Sequence, residues 1–260
     1  MKINLIEKTK DKSIIELDNV GFSFANVLRK NVISKVPTMA IEEVEIRDNS
    51  SVLYDEILAH RLGLIPLKTD LKSYNLPENC SCKGEGCAQC QLKLKLTAKG
   101  PGIVTASKIK SDDPKVVPVD EKMLIAKLLK DQRIQFIAKA QLGKGKDHAK
   151  WSPGHIYYKY KPIIEIKKDP KNPEAIAEVC PVDVFDVKGG KLKINKDNLL
   201  KCHLCNACVD ASDKNIITNE SEDSIILYVE PWGQLSVKEM LSKAVDIYMN
   251  DIDELGELIK

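Results

Sequence analysis

The amino-acid sequence predicts a mixed fold of α-helices and β-strands, with a chemically distinct segment inserted before its last strand. Three observations predict this class. Residues 21–66 have the pattern of helix, strand and helix, the middle of the chain alternates apolar with polar residues, and residues 237–259 carry apolar residues mostly at steps of three and four. A chain of 260 residues is long enough for one large domain or two smaller ones, which leaves room for an inserted module.

Residues 1–36 predict a β-hairpin that leads into an amphipathic helix. In the hairpin, apolar residues alternate with polar neighbours on both sides of a charged segment, namely Ile3 and Leu5 before it and Ile15 and Leu17 after it. In the helix, the apolar residues fall on one face: Phe24, Val27, Leu28 and Val32. Pro37 ends the helical run.

Residues 40–66 predict a strand and a second helix, with no group suited to catalysis. The strand is indicated by apolar residues set among glutamates, namely Ile41, Val44 and Ile46. The helix has a stripe that combines apolar residues with a histidine: Leu53, Ile57, His60 and Leu64. Because no nucleophile lies beside a base, we interpret residues 21–66 as an interface for other proteins.

Composition and charge limit the classes of function that this chain can have. Forty basic and 38 acidic side chains leave a formal net charge of +2, so the total charge does not indicate a nucleic-acid-binding surface. The first residues contain no apolar signal-peptide core and no run approaches a membrane span, so we expect a cytoplasmic protein without membrane contact. In that compartment the eight cysteines are expected to bind metal rather than form structural disulfides.

Four cysteines in a polar loop have the spacing of ligands for one metal ion. Cys80, Cys82, Cys87 and Cys90 follow the pattern C-x-C-x4-C-x2-C. Structural zinc takes four thiolates in a tetrahedron, and short loops of this kind direct backbone amides at the sulfurs. One or two disulfides, or free thiols in a variable loop, are the alternatives.

The middle of the chain predicts several strands and one short helix. The predicted strands are marked by Leu92, Leu94 and Leu96, by residues 102–107, by Ile134, Phe136 and Ala138, and by residues 163–166. Residues 122–131 begin with a short helical pattern. The lysine-rich loop 143–151 lacks the G-x4-G-K-[S/T] arrangement of a phosphate-binding loop, so we interpret it as solvated or in contact with protein.

Residues 167–224 form the inserted segment. Asn172-Pro173 predicts a helix start, and Gly189-Gly190 predicts the tight turn of a hairpin. The run CHLCNAC then supplies three thiolates around one face of an iron–sulfur cubane, and the Cys-Pro pair upstream supplies the remote ligand, as in two-cluster ferredoxins. The four predicted ligands are Cys180, Cys202, Cys205 and Cys208.

These four cysteines predict one cluster, whose nuclearity (3Fe-4S or 4Fe-4S) the pattern leaves open. A second zinc site is the alternative, but the Cys-Pro, the hairpin and the triple repeat occur in ferredoxin order. His203 is interpreted as a bystander. A single-cluster electron carrier is the alternative function, yet no second cluster motif or dinucleotide fingerprint accompanies it. We therefore favour a structural cluster that helps to fold the insertion.

The carboxyl end predicts a strand, a turn at residues 231–233 and a long amphipathic helix. Ser236 and Glu239 form a capping box at the helix start. The apolar positions of the helix are Val237, Met240, Leu241, Ala244, Val245, Tyr248, Ile252, Leu255 and Ile259. Part of this long stripe is expected to pack on its own domain and the rest to be buried against a partner.

Several of these stretches resemble one known family. "ANVLRKNVISKVPTMAIEEVEI" and "NSSVLYDEILAHRLGLIPL", followed by "LGKGKDHAKWSPG" and "PWGQLS", are similar to the family of archaeal RNA polymerase D subunits. That family is related to the third-largest subunit of eukaryotic RNA polymerase II and to the amino-terminal domain of the bacterial alpha subunit. The match is long and covers nearly the whole chain.

The resemblance implies an α+β architecture built on an alpha-subunit-like dimerisation domain. Residues 1–40 and 225–260 would form this domain, residues 41–166 a β-rich insert domain with the four-cysteine loop, and residues 167–224 a ferredoxin-like iron–sulfur module. Because eukaryotic relatives carry a comparable zinc loop, zinc is favoured at Cys80–Cys90. The amino-terminal helix and the carboxy-terminal helix would meet in one dimer interface, so polar substitution of Leu28 or charge reversal at Arg29 is expected to disrupt pairing.

The resemblance also implies the function, which is non-catalytic assembly of DNA-dependent RNA polymerase. The chain would pair with subunit L, bind the small subunits N and P, and recruit the large catalytic subunits. The metal-bound aspartates of nucleotidyl transfer would lie in another chain, because no Asp-x-Asp-x-Asp-like cluster occurs here. Sequence-specific contact with DNA is not expected.

Overall fold

The structure is a computed structural model that describes residues 1–259 and combines helices with strands, which confirms the α+β class. Its strands are β1 (Lys2–Lys8), β2 (Ser13–Asp18), β3 (Pro37–Asn49), β4 (Gln91–Lys99), β5 (Gly102–Thr105), β6 (Lys110–Ser111), β7 (Leu124–Leu128), β8 (Arg133–Lys144), β9 (Gly154–Ile166), β10 (Phe185–Lys188), β11 (Lys191–Ile194) and β12 (Ile216–Pro231). Its α-helices are α1 (Phe22–Ser34), α2 (Asp55–Gly63), α3 (Pro173–Val179), α4 (Ala207–Ala211) and α5 (Val237–Leu258).

Two compact units divide the chain, and each joins segments that are distant in sequence. The first unit consists of Met1–Lys8, Ile14–Asn26 and Tyr157–Tyr228, and the second of Thr9–Ser13, Val27–Ile156 and residues 229–259. The first unit holds a four-stranded sheet in the order β1-β2-β12-β9, which confirms that β1 and β2 are neighbours. The second unit holds a four-stranded sheet in the order β3-β8-β4-β6.

The inserted segment of the first unit folds as its local signals predict. Asn172 accepts a hydrogen bond from the backbone N–H of Ala175 at 3.4 Å and begins α3. β10 and β11 pair as a hairpin, whose two turn glycines, Gly189 and Gly190, have φ angles of 63° and 69°. Left-handed backbone at both turn positions is what a type I′ hairpin turn requires, and glycine adopts it without strain.

The core of the second unit lies on the sheet built around β8. Antiparallel pairing of β8 with both β3 and β4 places apolar residues of alternating positions on one buried face, including Leu94, Leu96, Ile134 and Phe136. The strands predicted at these residues are confirmed. The helix predicted at residues 122–131 is wrong, because Leu124–Leu128 forms strand β7 and pairs with β5.

Three of the four residues of the predicted stripe lie on the outer side of helix α2, whereas the fourth, Leu53, precedes the helix and packs against this core. Leu58 and Leu62 are its buried residues, whereas Ile57 is 49% exposed and Leu64, just past its end, is 51% exposed. The stripe of Ile57, His60 and Leu64 therefore faces outward. An apolar face left outside the core is consistent with the prediction that this stretch serves as an interface.

Helices α1 and α5 contact each other within the second unit. The Asn31 side-chain amide donates to the carbonyl oxygen of Ala244 at 3.3 Å, and Lys35 pairs with Asp251 at 2.6 Å. The capping box that begins α5 is confirmed, since Ser236 and Glu239 exchange both side-chain-to-backbone hydrogen bonds. None of the helices in residues 1–259 combines the length and apolar character that crossing a bilayer requires.

Candidate functional site

The loop between residues 80 and 90 brings its four cysteine sulfurs together. The Sγ–Sγ distances are 3.5 Å for Cys80–Cys87, Cys80–Cys82 and Cys82–Cys90, and 3.9 Å for Cys87–Cys90. A tetrahedron of thiolates around zinc, with Zn–S near 2.3 Å, has edges of about 3.8 Å. All four residues are free thiols, and their ligand atoms lie within 4.8 Å of one another. The donor set therefore has the size of a single-ion tetrathiolate site.

Backbone amides of this loop donate hydrogen bonds to two of its cysteine sulfurs. A hydrogen bond from the backbone of Gly86 lowers the pKa of Cys82 to about 6, which favours the thiolate form of this side chain. The backbone N–H of Cys87 donates to the sulfur of Cys90 at 3.3 Å, while burial raises the pKa of Cys90 to about 12. Gly86 has a φ of 95°, a left-handed conformation that lets the loop turn back between the two pairs of cysteines.

The second set of cysteines lines one small cavity in the first unit. Cys180 ends α3, Cys202 follows the short turn Leu199–Lys201, and Cys208 lies in α4. The remaining wall is mostly apolar, and it also includes His203. Cys205 is the exposed member of the set, whereas Cys202 and Cys208 are buried.

Two backbone amides donate hydrogen bonds to cysteine sulfurs of this cavity. The N–H of Val184 donates to the sulfur of Cys180 at 3.3 Å, and the N–H of Leu204 donates to the sulfur of Cys202 at 3.4 Å. Burial raises the pKa of Cys208, and its nearness to the other three cysteines raises it further.

The two cysteine sets differ in how closely their sulfurs approach. Within the described residues, the loop cysteines form a group compact enough for one ion, and the cavity cysteines do not form such a group. In an iron–sulfur cluster each thiolate binds a different iron, so the sulfurs stand farther apart than around one zinc ion.

Lys159 of β9 lies beside the cavity loop, and no sequence pattern points to it. Its ammonium donates to the carbonyl oxygens of Leu200 and, at 3.1 Å, of Cys202. Burial lowers the pKa of Lys159, against the opposing effect of the nearby Cys202 charge. A single lysine in a tyrosine-rich strand has no motif that distinguishes it from a surface residue.

The lysine-rich loop 143–151 uses two of its lysines in contacts with protein. Lys144 pairs with Glu78 at 2.6 Å, and Lys150 pairs with Glu42, donates to the carbonyl oxygen of Ile41 and lies 4.4 Å from the ring centroid of Trp151. All of these contacts are with residues of the same chain, so the interpretation as a solvated or protein-contacting loop stays a prediction.

Helix α5 is apolar on a face that its own chain leaves open. Met240 and Ala244 are fully buried, but Ile252 is 43% exposed and Leu255 is 56% exposed, and Val245, Met249, Leu258 and Ile259 are also exposed. By contrast, Leu28 of α1 is only 7% exposed and lies inside the chain. Polar substitution of Leu28 therefore disturbs the fold of the chain itself, which makes it a poor probe of pairing.

Comparison with known protein families identifies the class of protein to which part of this chain is similar. The family model described as RNA polymerase Rpb3/RpoA insert domain matches residues 44–156. Residues 44–156 are thus similar to the insert domain of the Rpb3 and RpoA class of RNA polymerase subunits.

Three relatives over the full length define the family. The chain is 36% identical to DNA-directed RNA polymerase subunit Rpo3 of Methanosarcina acetivorans, over 98% of this chain and 97% of the relative. It is 37% identical to the Rpo3 of Pyrococcus horikoshii over 97% and 95%, and 34% identical to that of Archaeoglobus fulgidus over 100% and 98%. The chain belongs to the Rpo3 family of DNA-directed RNA polymerase subunits, which confirms its resemblance to the archaeal polymerase subunits.

Proposed function

We propose that this chain is a non-catalytic assembly subunit of DNA-directed RNA polymerase in the cytoplasm. The observation that carries the proposal is the open apolar face of α5, in a chain similar over its full length to Rpo3 subunits. Exposed apolar surface of this extent is costly in water and marks a protein interface. A single-cluster electron carrier receives no support from the relatives, whose names describe a polymerase subunit.

The partner on α5 would be the small subunit L. The two helices that contact each other, α1 and α5, come from the chain segments 1–40 and 225–260, which we propose as the dimerisation domain. Subunits N and P and the large catalytic subunits would then join this pair. Co-expression with the matching subunit L tests the proposal, because an assembly subunit of this kind co-purifies with it, whereas a chain that remains alone contradicts the assignment.

The outward stripe of α2 is proposed to contact a large catalytic subunit. We expect the double substitution Ile57→Glu and Leu64→Glu to prevent recruitment of the large subunits while pairing with subunit L persists, because both residues are half exposed and outside the core. Unpaired charges buried in an interface cost about 2–5 kcal/mol each. Pull-down of the large subunits by the reconstituted pair measures the effect.

Ile103 of β5 provides a matched control for this test. It is 60% exposed in the same unit but lies outside the α2 stripe. Ile103→Glu should leave recruitment of the large subunits unchanged. If the wild type and the α2 double variant recruited the large subunits equally well, α2 would not be part of the interface with them.

We propose zinc in the loop of Cys80, Cys82, Cys87 and Cys90. The size of the sulfur tetrahedron and the amide directed at Cys82 support this ion. Zinc at this position would be structural rather than catalytic, and it would stabilise the loop next to the start of β4.

Metal analysis of the purified chain tests the zinc site. We expect about one zinc per wild-type chain and its loss in Cys90→Ser, because three thiolates no longer close the tetrahedron. Glu85→Ala, an exposed change in the same loop, should retain zinc. If the wild-type chain contained no zinc and these four cysteines were oxidised in pairs, the zinc site would be wrong and the cysteines would form disulfides.

We propose one iron–sulfur cluster, 3Fe-4S or 4Fe-4S, in the cavity of Cys180, Cys202, Cys205 and Cys208. The shared cavity that these four cysteines line and the two amides directed at the sulfurs of Cys180 and Cys202 support a cluster. When bound, the cluster would supply cross-links between α3, α4 and the loop before α4. Its role in this assembly subunit would be structural, since Cys202 and Cys208 belong to the small core of the module.

A further inference from the structure

Lys159 of β9 holds the loop that carries Cys202. Its ammonium donates to the carbonyl oxygens of Leu200 and Cys202, which lie at the end of one tight turn. The same ammonium lies 5.6 Å from the ring centroid of Tyr228 on β12, and that ring stacks on Tyr157 at 4.6 Å. Lys159 is therefore fixed by the sheet at one end and contacts the cysteine loop at the other.

The backbone after Cys202 needs such a support. Leu204 and Asn206 have φ angles of 58° and 64°, and such left-handed backbone is costly for most residues other than glycine. Two left-handed residues so close together persist only when surrounding contacts hold them. The hydrogen bond from Lys159 to Cys202 is one contact that fixes the start of this segment from outside the loop.

The positive charge of Lys159 is also expected to affect the stability and the reduction of the proposed cluster. A cluster held by four thiolates carries a net negative charge, and its reduction adds another electron. An ammonium that contacts the backbone of a ligand favours both the assembled cluster and its reduced form. Lys161, two residues along the same strand, pairs instead with Glu16 at 2.6 Å.

We propose that Lys159 is a positioning residue for the iron–sulfur cluster, fixing the backbone of Cys202 and supplying positive charge beside the site. This inference rests on the proposed cluster. It predicts that the lysine affects both how firmly the cluster is retained and the potential at which it is reduced. A purely structural contact would affect retention alone.

The test uses the full chain, reconstituted without oxygen from iron and sulfide. In Lys159→Met, loss of the cluster to EDTA should be about tenfold faster, the size of effect expected when hydrogen bonds from a charged group are removed. Its reduction potential should shift to a more negative value. Lys159→Arg should restore both properties, and Lys161→Met, the matched control, should leave both unchanged.

The outcomes separate this inference from the proposed cluster. Equal retention and potential in wild type and Lys159→Met would overturn the role of Lys159 while leaving the cluster in place. A wild-type chain that takes up zinc or no metal at the cavity cysteines would overturn the cluster and the inference with it. Should Lys159→Met fail to fold, Lys159→Gln, which keeps a donor without the charge, provides the same comparison of potentials.

Discussion

We expect the replacement of both Ile252 and Leu255 by glutamate to abolish the proposed pairing with subunit L, while the chain itself remains folded. Both residues lie on the open face of α5, so the free chain loses little when they become polar. In the pair, each charge would be buried without a partner at a cost of about 2–5 kcal/mol. Two such charges weaken the affinity at least about a thousandfold. Size-exclusion chromatography and titration calorimetry of the purified chains measure the loss.

The controls for this variant come from elsewhere in the same unit. The α2 double variant, Ile57→Glu and Leu64→Glu, makes the same chemical change on another exposed helix and should pair normally. Leu28→Glu should instead lower the unfolding temperature of the chain, because Leu28 is buried. A complex of unchanged affinity with the α5 double variant would show that α5 does not form the interface.

The triple substitution of Cys202, Cys205 and Cys208 by serine is expected to remove the cluster and unfold the inserted module. The core of this module is small, and two of its buried residues are the proposed ligands Cys202 and Cys208. Such a small core depends on a metal or cluster for much of its stability. Hydrogen exchange should show lost protection in α3 and α4, together with loss of bound iron and sulfide.

The matched control is the triple serine variant of Cys80, Cys82 and Cys87. It removes the same number of thiols but should keep iron and sulfide, with its altered exchange confined to the second unit. If the cluster is structural, the variant of the cavity cysteines should also assemble less polymerase. A complex with unchanged subunit content would argue against a structural role.

Local signals predicted much of the fold. The turn at Gly189-Gly190, the start of α3 at Asn172 and the capping box of Ser236 and Glu239 each depend on hydrogen bonds or backbone angles within a few residues. Nearby sequence is sufficient to specify such features. The short spacings of Cys80 to Cys90 and of Cys202 to Cys208 likewise made ligand patterns a prediction that needed no structure.

Features that depend on distant partners were not predictable in this way. Residues 124–128 form a short apolar run whose local pattern is compatible with either a helix or a strand. They form a strand because they pair with β5. The spacing of Ile57 and Leu64 indicated an apolar stripe, but the packing of Leu58 and Leu62 turns that stripe outward. Lys159 is set apart only by contacts with residues about 40 positions later.

Native mass spectrometry of the chain co-expressed with subunit L tests the central claim most directly. Assembly through the open face of α5 predicts a complex with one copy of each chain, which the Ile252 and Leu255 double variant no longer forms. A wild-type chain found only by itself, or only as a pair of identical chains, would contradict the assignment as an assembly subunit that pairs with L.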